Sequence, residues 1–135
     1  MRKKGFLYAK QASQMSDYYK CHTGCAIMYG SKLLALGWNC NKTHTSQYIY
    51  NKNFRRNFDN EVLPNKLHAE VMALTKIQYL DVDFSKLDLY VYREADGMLK
   101  LAKPCPACEG FIRALGIRNI HYTGDNSYVK EVFLY

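Results

Sequence analysis

The sequence predicts an α/β fold in which one sheet contains a parallel pair of strands and carries helices on its faces. Three observations predict it. The chain has 135 residues, which fits one domain of the usual size of about 100–150 residues. Hydrophobic residues make up 48% and charged residues 23%, a globular balance with enough apolar surface for one core. Segments of helical and of strand character also alternate, and in the second half a strand, a helix and a strand follow one another.

Taken in order, residues 7–20, LYAKQASQMSDYYK, place Leu7, Gln11, Met15 and Tyr18 or Tyr19 at helical steps, the pattern of an amphipathic first helix. CAIMY and KLLALGW are two apolar runs separated by Gly30-Ser31, a hairpin signal. Residues 41–66 break the pattern: rich in Asn, Lys, Arg and aromatic residues and ending beyond Pro64, they read as an insertion with a short helix around 51–57. HAEVMALTKIQYL puts Val71, Leu74, Ile77 or Gln78, and Leu80 on one helical stripe. LDLYVYRE reads as a strand, and Asp96-Gly97 turns it into a second extended piece, MLKLA. CPACEGFIRALG has Phe111, Ile112 and Leu115 at helical spacing and Gly116 as its stop, and IRNIHYTG is another strand.

The bulk numbers narrow the function classes. The basic start MRKKGFLYAKQAS leads into no apolar run of signal-peptide length, and no window approaches a membrane span of about 20 apolar residues, so a cytoplasmic protein with no membrane partner is expected. The cysteines Cys21, Cys25, Cys40, Cys105 and Cys108 are odd in number, which points to reduced thiols or metal ligands rather than a disulfide framework. A net charge of +7 and a pI near 9.1 favour a phosphorylated ligand or a polyanion, because a positive field speeds encounters with anions.

Chemistry concentrates in two short stretches, KLHAEVMAL and KPCPACEGF. The spacing of Cys105 and Cys108 lets both sulfurs reach one tetrahedral ion at about 2.3 Å, and they fall in the first turn of a helix, whose free amides favour thiolates. Pro106 between them suits the first helical position, where its missing N–H costs nothing. His68, opening the other helix, supplies a third ligand. Three protein ligands and one open position is the arrangement of a catalytic rather than a structural zinc. Glu70 diverges from His68 around the helix, so it flanks the open position and can act as a general acid/base.

His-x-Glu followed by Pro-Cys-x-x-Cys, each opening a helix, is the signature of zinc-dependent nucleobase deaminases. On these residues, and on HTGCAIMYGSKLLALGWN as a first hairpin ending in Asn39, the chain resembles the cytidine and deoxycytidylate deaminase superfamily over most of residues 7–124. The resemblance implies a three-layer α-β-α fold with a mixed sheet of about five strands over the single domain 1–135. It implies zinc on His68, Cys105 and Cys108, with Glu70 shuttling protons as hydrolytic deamination releases ammonia. It also implies substrate contacts from Asn39 and from backbone groups at Ala69 and Pro104, and a homo-oligomer.

GWN and HAEVMAL resemble the bacterial tRNA adenosine deaminases, whereas PCPAC, the insertion and HYTG resemble the deoxycytidylate branch and its viral and phage relatives. The leading expectation is a pyrimidine nucleotide substrate of the dCMP kind. The alternatives are single-stranded DNA or RNA as substrate, and a non-catalytic nucleic-acid-binding module with a structural zinc. Within the insertion, Lys42, His44, Lys52, Arg55, Arg56 and Lys66 are interleaved with Tyr48, Tyr50, Phe54 and Phe58. Cations and rings of this kind suit strand binding, but equally the grip of one phosphate, in which His44, Arg55 and Arg56 are the candidates, or a subunit interface. CHTGC lacks a second ligand pair, so Cys21, Cys25 and Cys40 read as small buried or partly buried thiols.

Overall fold

The computed structural model describes residues 3–16, 22–39 and 68–133. Helix α1 (Lys3–Ser13) is followed by β1 (His22–Tyr29) and β2 (Lys32–Trp38), joined at Gly30-Ser31 as the hairpin signal requires. Then come α2 (Ala69–Ile77), a 3-10 turn at Phe84–Lys86, β3 (Leu87–Ala95), β4 (Met98–Leu99), α3 (Pro106–Leu115), β5 (Asn119–Gly124) and β6 (Ser127–Val132). The strands form one mixed sheet in the order β2-β1-β3-β5-β6, with β4 paired to the end of β3. The parallel pair implied by the strand–helix–strand order is β3 with β5, with Leu89 opposite Ile120 and Val91 opposite Tyr122.

Among the described residues the sheet has six strands, where about five were expected. The addition is β6, whose sequence SYVKEV lacks an apolar run because it lies at the sheet edge and buries little, while the extended piece expected at MLKLA is the two-residue β4. The insertion expected at 41–66, with its short helix, lies outside the described residues.

Alternation along the strands divides the molecule into layers. Leu87, Leu89 and Val91 of β3 face the same way as Cys25 and Ile27 of β1 and Ile120 and Tyr122 of β5. Onto that face pack Val71, Leu74 and Ile77 of α2 and Cys108, Phe111 and Ile112 of α3, as the periodicity predicts except that Leu80 lies beyond the end of α2 and is exposed. The intervening residues Ala26, Met28, Tyr90 and Tyr92 face the opposite way and pack against Phe6 and Ala9 of α1. On this second side His121 stacks on Tyr90 with ring centroids 4.3 Å apart and reaches Asp88 at 3.0 Å. Helices on both faces complete the three layers.

Helix α1 exists, but its buried face differs from the predicted one. Leu7 and Met15 are 59% and 62% exposed, whereas Phe6, Ala9, Ala12 and Ser13 are buried. Small residues decide this: a Cβ on Gly24 of β1 would collide with the Ala9 carbonyl and the Ser13 amide, so the helix backbone lies directly on the strand. Ala9, Ala12 and Ser13 fit that close approach, and longer side chains do not.

Candidate metal centre

Two helix starts build the site. His68 is the N-cap of α2, in extended conformation with φ −86° and ψ 152°, and its carbonyl accepts from the Met72 amide. Cys105 is the N-cap of α3, also extended, with Pro106 just inside the helix and Gly116 closing it in the left-handed region at φ 89°. The elements are held in place by their neighbours. Gly37 of β2 lies so close to α2 that a Cβ would collide with the Ala69 carbonyl and stand 2.7 Å from the Ala73 amide nitrogen. The Trp38 amide also reaches Met72 Sδ at 3.4 Å, and Lys76 Nζ donates to the Leu36 carbonyl at 2.6 Å.

Through these placements His68, Cys105 and Cys108, far apart in sequence, converge with their ligand atoms all within 4.8 Å of one another. His68 Nδ1 stands 3.4 Å from Cys108 Sγ and 3.5 Å from Cys105 Sγ. A tetrahedral ion with ordinary zinc–nitrogen and zinc–sulfur bonds requires nitrogen–sulfur edges of about 3.6 Å, so the donor set fits such an ion with little movement. The thiols are poised accordingly. The hydrogen bond with Cys108 holds the Cys105 thiol at about 4, against the effect of its burial and with help from His68. Cys108 is displaced upward, chiefly by the same hydrogen bond and by burial. Thiols bind a cation as thiolates, and the lowered Cys105 thiol is the readier of the two to do so.

Glu70 is 6% exposed and lies in the first turn of α2. Burial is the main cause that raises its carboxyl above the ordinary range, and Cys105 adds to it, while His68 and Arg93 pull the other way. The structure therefore brings together His68, Glu70, Cys105 and Cys108, as the two motifs predict. Ala69 is fully buried beside them, and Pro104 is buried immediately before the cysteine pair. Asn39 ends the β1–β2 pair: its amide donates to the Thr23 carbonyl, and its side-chain oxygen accepts from the Thr23 amide and the Ser16 hydroxyl. His44, Arg55 and Arg56 lie outside the described residues.

One residue at the site was not singled out from the sequence. Arg93 follows Leu89 and Val91 on the same face of β3 and acts electrostatically on Glu70, a placement that strand alternation could have revealed. Cys25 is fully buried on β1, as a small buried thiol should be, and it is raised by burial and by the nearby Glu70 charge.

The comparisons with known proteins agree with this geometry. The fold is similar to that of a cytidine deaminase from Burkholderia pseudomallei, at 16% identity and a TM-score of 0.64, covering 98% of this chain and 92% of that one. It is also similar to the dCMP deaminase from the cyanophage S-TIM5 in complex with dCMP and dUMP, at 22% identity and a TM-score of 0.58, covering 90% of this chain and 82% of that one. The apo form of the phage enzyme gives a TM-score of 0.57. No curated protein matches the chain. The model of the cytidine and deoxycytidylate deaminase zinc-binding region matches residues 2–123, and with the sheet and the His/Cys/Cys cluster in place the chain belongs to the cytidine and deoxycytidylate deaminase family.

Proposed function

We propose that this protein catalyses the zinc-dependent hydrolytic deamination of cytosine to uracil in a pyrimidine nucleotide of the dCMP kind. The observation that carries the reading is the buried Glu70 beside a cluster of three donors among the described residues, His68, Cys105 and Cys108. A structural zinc needs four protein ligands and no proton carrier, whereas this arrangement leaves one position for water and sets a carboxyl next to it. The phage relative, solved with dCMP and dUMP, supports a nucleotide as substrate and product.

When bound, zinc supplies Lewis-acid activation of a water molecule, whose pKa falls from 15.7 toward about 7. With zinc held by His68, Cys105 and Cys108, Glu70 would accept a proton from the attacking water and deliver it to the ring nitrogen as the amino-bearing carbon is attacked. It would then take the second proton from the hydroxyl added at that carbon and pass it to the amine, which leaves as ammonia as the carbonyl of uracil forms. Burial suits Glu70 to this cycle because a carboxyl raised toward neutrality can both take and give a proton. Backbone groups at Ala69 and Pro104 orient the base. Asn39, whose side-chain oxygen serves Ser16 and Thr23, contacts the nucleoside from the end of the β1–β2 pair. His44, Arg55 and Arg56 supply cations for the phosphate.

A second reading, deamination of single-stranded nucleic acid, is favoured by the net charge of +7 and the rings interleaved with cations over 41–66. Product mass spectrometry separates the two. Zinc-loaded protein, with Glu70→Ala as control, is incubated with dCMP, cytidine, a cytosine-rich single-stranded DNA and a tRNA anticodon stem-loop. Glu70-dependent uracil on the mononucleotide alone is the expected result. Conversion only on a polymer would replace it with the second reading, and no conversion on any substrate would leave a non-catalytic binding module.

A further inference from the structure

We propose that Thr123 is a positioning residue for the cysteine pair: it clasps residues 100–102 into the fork between β3 and β5 and so holds the arm that ends in Cys105 and Cys108. This inference rests on the reading of His68, Cys105 and Cys108 as a metal site.

The fork is visible in the pairing. β3 and β5 run together from Asp88 opposite Asn119 to Val91 opposite Tyr122. Beyond that point β3 pairs with β4, Glu94 opposite Leu99 and Ala95 opposite Met98. One edge of β3 is thus handed from β5 to the returning chain. At the hand-over the parallel ladder has no carbonyl for the Arg93 amide, and the Thr123 hydroxyl takes its place, accepting from Arg93 N at 3.1 Å. The same hydroxyl donates to the Lys100 carbonyl at 2.7 Å, and the Thr123 carbonyl accepts from the Ala102 amide at 2.7 Å. The Lys100 amide closes the circuit on the Arg93 carbonyl at 2.9 Å.

Thr123 is fully buried and Ala102 is 4% exposed, so water cannot replace these bonds without a rearrangement. The side chain must both accept and donate at one point, which among residues of this size only Thr and Ser can do. From Ala102 to Cys105 the chain has a reach of about 10 Å at most, so fixing the Ala102 amide restricts where the first sulfur can lie. The clasp does for the cysteine arm what a hydrogen-bonding partner does for a metal-bound histidine, and loss of such partners typically costs about 10–100-fold in metal affinity.

The test titrates metal-free protein with cobalt(II), whose visible bands report tetrahedral thiolate ligation, and obtains affinity by competition with a chelator. Thr123→Val, which keeps the shape and loses the hydroxyl, is expected to weaken cobalt affinity about 10–100-fold and to alter the bands, while Thr123→Ser restores both. A merely structural role would lower the melting temperature of Thr123→Val and leave affinity and spectrum as in the wild type, and that result overturns the proposal. If Thr123→Val does not fold, Thr123→Ala read against Thr123→Ser makes the same comparison. A wild-type protein with no thiolate-to-cobalt band would instead refute the metal site itself.

Discussion

At the scale of single residues, the proposed site separates the groups that would hold an ion from the group that would react. His68, Cys105 and Cys108 point at one another, whereas Glu70, on the same helix as His68, is set against the core and kept from solvent. Replacing Glu70 by Gln keeps the shape and removes the ionisable group. We expect metal content unchanged and deamination reduced by about 10²–10⁴-fold, measured by metal analysis and product mass spectrometry on one preparation. Equal loss of metal and activity would make Glu70 a ligand rather than a proton carrier. Asn39 allows a similar separation, because its side-chain oxygen closes the β1–β2 end through Ser16 and Thr23. Asn39→Asp retains that acceptor and loses the amide donor, so the melting temperature should stay near that of the wild type while KM for the nucleotide rises about tenfold. An unchanged KM would assign Asn39 to structure alone. The gathering of His68, Glu70, Cys105 and Cys108 was legible in the sequence because motif spacing at helix starts is local information, whereas Asn39 was reached only through the family resemblance. Thr123 was not legible, since its partners Arg93, Lys100 and Ala102 meet only when the sheet is assembled.

At the scale of elements, two glycines set how the layers lie on the sheet, one on each face. Gly37 seats β2 against the first turn of α2, and Gly24 seats β1 against α1. An added methyl meets backbone in both cases, which cannot swing away, so Gly37→Ala and Gly24→Ala should each destabilise the fold by about 1–3 kcal/mol in denaturant unfolding. Their effects on metal should differ. Gly37→Ala displaces the turn that carries His68 and is expected to weaken cobalt binding, while Gly24→Ala acts on the opposite face and leaves it unchanged. Equal losses would mean that the two faces do not act separately. Element legibility followed burial. The hairpin at Gly30-Ser31, β3 and the α3 stripe ending at Gly116 were readable because each has a wholly buried face or a turn residue to mark it. The α1 face was misread because apolar size favoured Leu7 and Met15, when close approach to Gly24 selects the small residues instead. β6 carried no signal because an edge strand with alternating exposure needs no apolar run.

At the scale of the whole molecule, the candidate metal centre joins parts of the chain that the core brings together from one side only. His68 and Cys108 are 40 positions apart, and they belong to helices that share the core formed by Val71, Leu74, Phe111 and Ile112. A bound ion would tie the starts of α2 and α3 directly, adding a link at the rim where the apolar contacts end. Because the unfolded chain does not present the three donors together, a metal held there would bind the folded state selectively and its binding free energy would add to stability. At a free zinc concentration of about a thousand times Kd the gain is about 4 kcal/mol, which for a chain of this size corresponds to a rise in melting temperature on the order of 10 °C. Adding a strong chelator to zinc-loaded protein should remove that increment, and returning zinc should restore it. Cys108→Ser should melt at one temperature with or without zinc, because the fully buried sulfur of the cluster is gone. Scanning calorimetry of both proteins, each with zinc and with chelator, decides the matter: a wild-type melting temperature that ignores the chelator would show that no ion links the two helices.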